Sequence, residues 1–501
     1  MSPATAHASL PSERADVRHN YLAIDLGASS GRAVVGTLDD ATMQMQEVHR
    51  FSTPVVEAHG HISWDIEALW AEIRESVRRA FSVEGGLRSV SVDSWAVDYV
   101  PVGGDGNALR NPFCYRDPRI HGCFDTAIHV AGGADSLYDL TGTQFLPFNT
   151  LPQVIADLRD EADVVRATAT RLFIAEYFLY RLSGSMIAEA TMASTSQLVD
   201  ARTGQWSSAL IAAIGDEARR WPRIVQCGAV LGPMLPDLMP EPSREAPVVI
   251  ACCTHDTAAA VAAVPAVPVS STRPWAFISS GTWSLVGTEM RKPMLSHAAR
   301  AAGFTNEAGL DGTTRFLVNR AGMFVLEECR REWGSGGASL ESMISAAAAA
   351  ESVGTIDLNE ARFAARSDMV QKIRTACFDA GIRAPETTGE IIRLILDSLA
   401  ESHAVALDRL DALTGRRTED VHIVGGGSQN DLLNQLTADR SGRRVLAGPA
   451  EATILGNLLS QARSLGDLPA GVSIRDAARR SSRITAFISR RGVHVPATLA
   501  R

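Results

Sequence analysis

Asp25-Leu26-Gly27-Ala28-Ser29-Ser30-Gly31-Arg32 lies between two short apolar runs, residues 21–24 and 33–36. A strand, a tip of small residues and a second strand make a hairpin. Gly27 and Gly31 permit a tight turn and close approach of a ligand. Ala28, Ser29 and Ser30 offer backbone amides, the two serines add hydroxyls, and Arg32 can pair with phosphate. Asp25, at the end of the first strand, can hold a magnesium ion through water. A surface hairpin whose tip needs glycine has the same sequence, so this stretch alone leaves both readings open.

The pattern recurs. Residues 275–279, the tip Ser280-Gly281-Thr282 and residues 283–286 again read strand, tip, strand. Each tip can turn backbone amides toward an anion. Two such hairpins suggest a duplicated fold with a cleft between the halves. Ile66, Leu69, Trp70, Ile73, Val77 and Phe81 recur at helical spacing, with Ser63 and Asp65 as capping candidates. Residues 87–92 read as a strand that runs into Asp93-Ser94-Trp95-Ala96-Val97-Asp98. Strands alternating with helices argue for an α/β fold. Five prolines between residues 232 and 247 mark a domain boundary. The expected organisation is an extension without fixed structure over residues 1–20, a first domain over 21–246 and a second over 247–501. In the second, residues 247–253 read as a buried strand, 256–264 as the start of a helix and 390–413 as a long amphipathic helix. Residues 421–424 read as a strand ending in Gly425-Gly426-Gly427, with a helix through Leu432, Leu433 and Leu436 beyond it.

Composition narrows the chemistry. A chain of 501 residues is too long for one hydrophobic core. Net charge is −9 and no basic tract stands out, so nucleic acid is not an expected partner. The seven cysteines form no CxxC pair, which argues against a disulfide framework or a zinc site and fits a reducing cytoplasm. The first nineteen residues lack the apolar stretch of a signal peptide. The most apolar segment, residues 248–269, carries His255 and Asp256 and is broken by Pro265 and Pro268, so no membrane span is expected. Only two lysines occur, Lys292 and Lys372, and there is no GxxxxGK[ST]. If the chain binds ATP, the phosphates must therefore be met by backbone N–H groups, hydroxyls, arginine and metal.

Thr254-His255-Asp256-Thr257 follows an apolar strand and precedes an alanine-rich helix. A carboxylate there lies where open α/β sheets place ligands, and Asp256 can accept a proton from a substrate hydroxyl. Asp and Thr are equally suited to capping the helix. Gly425-Gly426-Gly427 is a candidate nucleotide contact, although glycines are common in strand–helix turns. Trp95 and Asp98 can meet a sugar, or serve as a core tryptophan and a solvated aspartate. His59 and His61 have no partnering cysteine or acidic cluster, so no metal is expected there.

In their order along the chain these segments carry more than they do singly. The glycine–serine hairpin at residues 25–32, Trp95-Ala96-Val97-Asp98, Thr254-His255-Asp256-Thr257, Ser279-Ser280-Gly281-Thr282-Trp283-Ser284 and Val424-Gly425-Gly426-Gly427-Ser428-Gln429-Asn430 together resemble the FGGY carbohydrate kinases. Gln144-Phe145-Leu146-Pro147-Phe148-Asn149-Thr150-Leu151 and Gly448-Pro449-Ala450-Glu451-Ala452-Thr453 extend the likeness, which runs from about residue 21 to about residue 465. It implies an actin-like, ribonuclease H-like α/β fold of two domains around a cleft. It implies transfer of the γ-phosphoryl of ATP, with Mg²⁺, to O1 of a ketose, L-rhamnulose in the branch of the family that the chain resembles most. Asp256 would be the catalytic base. Ala28, Ser29, Ser30, Gly31, Arg32, Thr282, Glu327 and Gly426 would contact ATP, and Ala96, His255, Thr257 and Asn319 the sugar. Three positions depart from the pattern: Ala96 stands where some relatives have glycine, Glu327 where a glutamine is expected near the nucleotide, and Glu176 where an aspartate is usual. The rival readings are a kinase of the same family for L-fuculose, D-xylulose or gluconate, and a non-catalytic actin-like sensor of sugar and nucleotide.

Overall fold

The protein is described by a computed structural model over residues 19–240, 245–266, 273–334, 339–363 and 367–490. The glycine–serine hairpin is the centre of the first sheet. Its strands are β1 (His19–Leu26) and β2 (Ser30–Asp39), followed by β3 (Thr42–Ser52), β4 (Ser89–Ser94), β5 (Ala229–Pro233) and β6 (Val248–Ala251), in the order β5-β6-β4-β1-β2-β3. β1 runs antiparallel to β2 and parallel to β4, with Asp25 level with Asp93. On one face, helix α1 (Ile66–Ala80) buries the periodic residues Leu69, Trp70, Ile73 and Val77. Its N-cap is Asp65, which accepts from the Ala68 amide at 3.0 Å, while Ser63 sits in a strand. α2 (Ile174–Ser183) covers β4 and β6 on the same core, and α3 (Asp256–Ala262) follows β6.

The second sheet contains β7 (Trp275–Ser280), β8 (Trp283–Met290), β9 (Thr305–Ala308), β10 (Thr314–Ala321), β11 (Asp420–Val424), β12 (Arg444–Ala447) and β13 (Thr485–Phe487), in the order β9-β10-β8-β7-β11-β12-β13. Its central hairpin β7–β8 is antiparallel, and β7 pairs in parallel with β11, which pairs in parallel with β12. Strand for strand, β3-β2-β1-β4-β6-β5 matches β10-β8-β7-β11-β12-β13, down to an antiparallel edge strand at one end of each. The duplication expected from the two tips is thus a repeat of the whole sheet, the topology of a ribonuclease H-like fold.

Helix α4 (Thr388–Thr414), with a Thr387–Glu390 capping box, lies in the second half. Helix α5 (Ala452–Ser464) leaves the second sheet and packs on the first. Its Leu455, Leu458 and Leu459 share one core with Tyr21 and Ala23 of β1, Ala259 of α3 and Phe277 of β7. Its two buried amides make polar ties: Asn457 Nδ2 donates to Asp93 Oδ2 at 2.6 Å and Gln461 Nε2 to the Leu22 carbonyl at 3.0 Å. Where α5 crosses α3, a Cβ on Gly456 would lie 1.9 Å from the Ala259 carbonyl oxygen, so only glycine allows the crossing.

Two expectations meet different facts. Residues 248–251, expected to open the second half, pair with β4 and β5 inside the first sheet. Pro233 ends edge strand β5 and Pro247 directly precedes β6, because prolines are tolerated at sheet edges as well as in linkers. Of the extension expected over residues 1–20, residues 1–18 lie outside the described residues, and His19 and Asn20 open β1. All seven cysteines are free thiols. Among the described residues, no helix is long and apolar enough to cross a membrane.

Candidate active site

The first tip reaches the second half through Arg32, and the β6–α3 turn lies near enough for the Asp25 carboxylate to act on Asp256. The first tip is closed by its own bonds: Gly27 N–H donates to the Ser30 carbonyl at 3.0 Å, and Thr53 Oγ1 to the Gly27 carbonyl at 2.6 Å. Ser29 and Ser30 are exposed at its end. Gly31 is buried, and a Cβ there would sit 2.3 Å from the Phe51 ring. Packing is what requires that glycine. Arg32 donates to Asp25 Oδ2 at 2.9 Å and forms an ion pair with Glu451 across the two halves.

Behind Asp25 stands Asp93, wholly buried, with Oδ2 held by Asn457 and Oδ1 without a partner. Loss of hydration, then the neighbouring Asp25 carboxylate, push its pKa well up. Among the described residues, no cluster of three or more His, Cys, Asp or Glu can hold a metal by itself. Magnesium suits such a place, because it keeps several waters and takes one or two carboxylates plus substrate phosphates. An acidic pocket with one unsatisfied buried oxygen fits that requirement.

Asp256 is the first residue of α3. The N-cap position belongs to His255, whose side chain makes no capping bond. The Asp256 carboxyl accepts from the Thr257 amide and from Thr257 Oγ1 at 3.1 Å. About a third of its surface is open to the cleft. Desolvation, then the Asp25 carboxylate, push its pKa up to about 7, which suits a base working near neutral pH. The turn carrying it is fixed from behind by two buried carboxyls. Thr254 Oγ1 donates to Glu176 Oε1 at 2.7 Å, and Thr254 N–H to Glu189 Oε2 at 3.1 Å. Burial raises the Glu176 pKa to about 8. Glu176, noted as a departure, therefore supports the turn without touching the cleft.

Of the four expected sugar residues, His255 and Thr257 flank Asp256 in the β6–α3 turn. The β-bridge between Ser94 and His255 brings the Trp95-Ala96-Val97 turn beside the His255 backbone. Val97 has φ of +73°, a costly conformation for a β-branched residue, of the kind that clusters where a backbone must be aimed at a ligand. Asn319 on β10 gives its Nδ2 to Gln144 Oε1 at 2.9 Å, a bond between the halves. Trp95 is core, as one reading allowed. Asp98 is wholly buried rather than solvated: the indoles of Trp64 and Trp95 donate to its Oδ2 at 2.7 and 3.0 Å, and Gln153 donates to Oδ1 at 2.9 Å. Neither reaches the cleft as a sugar contact. His61, expected to have no acidic cluster beside it, has the carboxylate of Asp117 3.1 Å from its Nδ1.

In the second half, the tip ends at Gly281 and Thr282, whose carbonyls accept from the Met323 and Phe324 amides at 3.0 and 3.2 Å. The glycines after β11 differ in their reasons. A Cβ on Gly427 would lie 1.9 Å from Ser280 Oγ, whereas one on Gly426 would meet nothing within 4 Å. Gly426 therefore faces open space. Glu327 is exposed and paired with Arg330 at 2.8 Å, which offsets the charge that the replaced amide would lack.

Residues that sequence reasoning missed stand behind the chemistry: Asp93, Glu189, Asn457, Arg315 and Glu307. Arg315 had a signal. It is a charged residue in the apolar run Phe316-Leu317-Val318 of a central strand, a place that arginine rarely occupies without a buried partner.

Paired sheets, two glycine-bearing tips and a partly open carboxylate at a strand–helix turn are what an ATPase-type phosphotransferase site would require. The family of carbohydrate kinases named FGGY matches this chain in both of its domains, the N-terminal over residues 20–263 and the C-terminal over residues 276–465. A rhamnulokinase of Bacteroides thetaiotaomicron is 38% identical over 93% of this chain and 95% of its own, and one of Bacillus subtilis 36% identical over 93% and 95%. Among solved structures, a ligand-bound xylulose kinase from Lactobacillus acidophilus gives a TM-score of 0.76 at 15% identity, with 94% of each chain covered. A Plasmodium falciparum glycerol kinase with ADP gives 0.75 at 14%, again over 94% of each. At such identities the structural likeness shows the fold alone. The chain belongs to the FGGY family of carbohydrate kinases.

Proposed function

We propose that the chain transfers the γ-phosphoryl group of ATP to O1 of L-rhamnulose, giving L-rhamnulose 1-phosphate and ADP. The observation that carries this reading is Asp256, about a third open at the β6–α3 turn with its pKa raised to about 7; the sugar follows from the rhamnulokinases it resembles at near-full length. ATP would lie between Ala28–Arg32 on one side and Thr282 and Gly426 on the other, with Glu327 near the nucleotide. The exposed Ser29 and Ser30 and the open space at Gly426 support this placement. Arg32 would exchange its Glu451 partner for phosphate. Asp25 would hold a magnesium ion through water, and such an ion supplies neutralisation of the phosphate charge.

Ala96, His255, Thr257 and Asn319 would position the ketose with O1 toward Asp256. The Asp256 carboxylate takes the O1 proton as the O1–phosphorus bond forms and the bond from phosphorus to the β–γ bridging oxygen breaks. Closure of the halves excludes water, which would otherwise compete as acceptor. Seven free thiols support a reducing compartment, the cytoplasm. Incubation with ATP, Mg²⁺ and L-rhamnulose should yield ADP and a phosphate ester whose phosphorus couples to the C1 protons in NMR. No sugar-dependent ADP with any ketose would favour the sensor reading instead.

A further inference from the structure

Behind His255, on the side away from the cleft, stands a buried charge pair that the proposed mechanism does not use. Arg315 on β10 has no exposed surface, and Glu307 on β9 is its cross-strand partner. Their ion pair measures 3.1 Å between Arg315 Nη2 and Glu307 Oε2, and Arg315 Nε donates to the Ala308 carbonyl at 3.0 Å. The same Nη2 lies 3.2 Å from Nδ1 of His255.

A guanidinium has only donors. The His255 Nδ1 that faces it must accept, so the ring proton sits on Nε2. Glu307 Oε2 is 3.6 Å from Nδ1, too far for a hydrogen bond, and a proton on Nδ1 would point at the guanidinium. On the other edge of the ring, Nε2 lies 3.4 Å from Asp256 Oδ1. The backbone is tied as well, with His255 N–H donating to Thr191 Oγ1 at 3.4 Å.

We infer that Arg315, held by Glu307, is a positioning residue that fixes His255 as the Nε2–H tautomer, so that the ring offers the sugar a hydrogen-bond donor beside the Asp256 carboxylate. The opposite tautomer would set a ring lone pair against that carboxylate and leave the sugar's oxygens without this donor. Burial, then the guanidinium, push the imidazole pKa well down, which keeps the ring neutral. Pairing with Glu307 makes the arrangement stable, since removing one member of a buried pair leaves an uncompensated charge. The tautomer stands on geometry alone; its consequence for sugar binding rests on the proposed function.

The experiment is long-range ¹H–¹⁵N NMR on the full chain labelled at its twelve histidines, with His255 assigned by loss of its signals in His255→Gln. His255 should show a protonated Nε2 and an unprotonated Nδ1. In the double variant Arg315→Met, Glu307→Gln, which removes both charges together, the two tautomers should mix. The KM for L-rhamnulose should then rise up to about tenfold, as for loss of one hydrogen bond, with the ATP KM unchanged; Arg315→Lys alone should keep the tautomer. A protonated Nδ1 in the wild-type protein overturns the inference, and that spectrum decides even if the double variant does not fold. A shifted tautomer with an unchanged sugar KM overturns the positioning role. Absence of sugar-dependent turnover in the wild-type protein would instead sink the proposed function, while the tautomer read from the spectrum would stand.

Discussion

Asp256 is the proposed base, and two results bear on that proposal. Asp256→Asn is nearly isosteric and keeps an oxygen for the Thr257 amide, so melting should change little. The amide cannot take the O1 proton, and general-base contributions run to about 10²–10⁴-fold. We expect kcat to fall by that much with the sugar KM little moved; near-normal kcat in a normally melting variant would leave Asp256 only a helix-end role. The second result is a pH profile. A base must be deprotonated to act, and this one has its pKa raised toward 7. Activity, as kcat/KM, should therefore climb as pH rises through about 7 and then level off. An acid limb near 4, the ordinary carboxylate range, would contradict the environment described here. Sequence made Asp256 a candidate because a carboxylate at a strand–helix turn is visible as such. It could not show what lies behind the turn. Glu176 and Glu189 come from one distant segment and Glu307 and Arg315 from another, and only the closed fold brings them to Thr254 and His255.

At the scale of elements, the hairpin tips and the glycine run were legible because glycine, serine and strand alternation leave local signals. What glycine is for was not. Gly31 makes room for Phe51 and Gly427 for Ser280, while Gly426 opens on nothing. The difference is testable with paired variants. Gly426→Val should fold as the wild type does and raise the ATP KM at least about tenfold, a cost of one lost close approach or more. Gly427→Val must displace Ser280 on the neighbouring tip and should lower the melting temperature clearly. Equal behaviour of the two in folding and in ATP KM would remove the assignment of Gly426 to the nucleotide. The strand at residues 248–251 shows the converse limit. Its apolar run was readable, but which sheet it joins depends on β4 and β5, and no local pattern carries that information.

The whole molecule is two matching sheets joined by α3 and α5, with Arg32–Glu451 and Asn319–Gln144 bonds across the division. The repeat was visible in sequence as two tips; the crossing of α3 and α5 was not, because it turns on one glycine and two buried amides. A cleft enzyme that excludes water gains by assembling its site only around substrate. Small-angle scattering should accordingly give a smaller radius of gyration with saturating L-rhamnulose, and an identical profile would contradict closure. The central claim concerns which sugar receives the phosphate. Its most direct test is kcat/KM for L-rhamnulose, L-fuculose and D-xylulose in one coupled ADP assay with ATP and Mg²⁺. L-Rhamnulose should exceed the others by at least about tenfold, the discrimination that one or two polar contacts supply. An equal or higher kcat/KM for L-fuculose or D-xylulose would contradict the assignment.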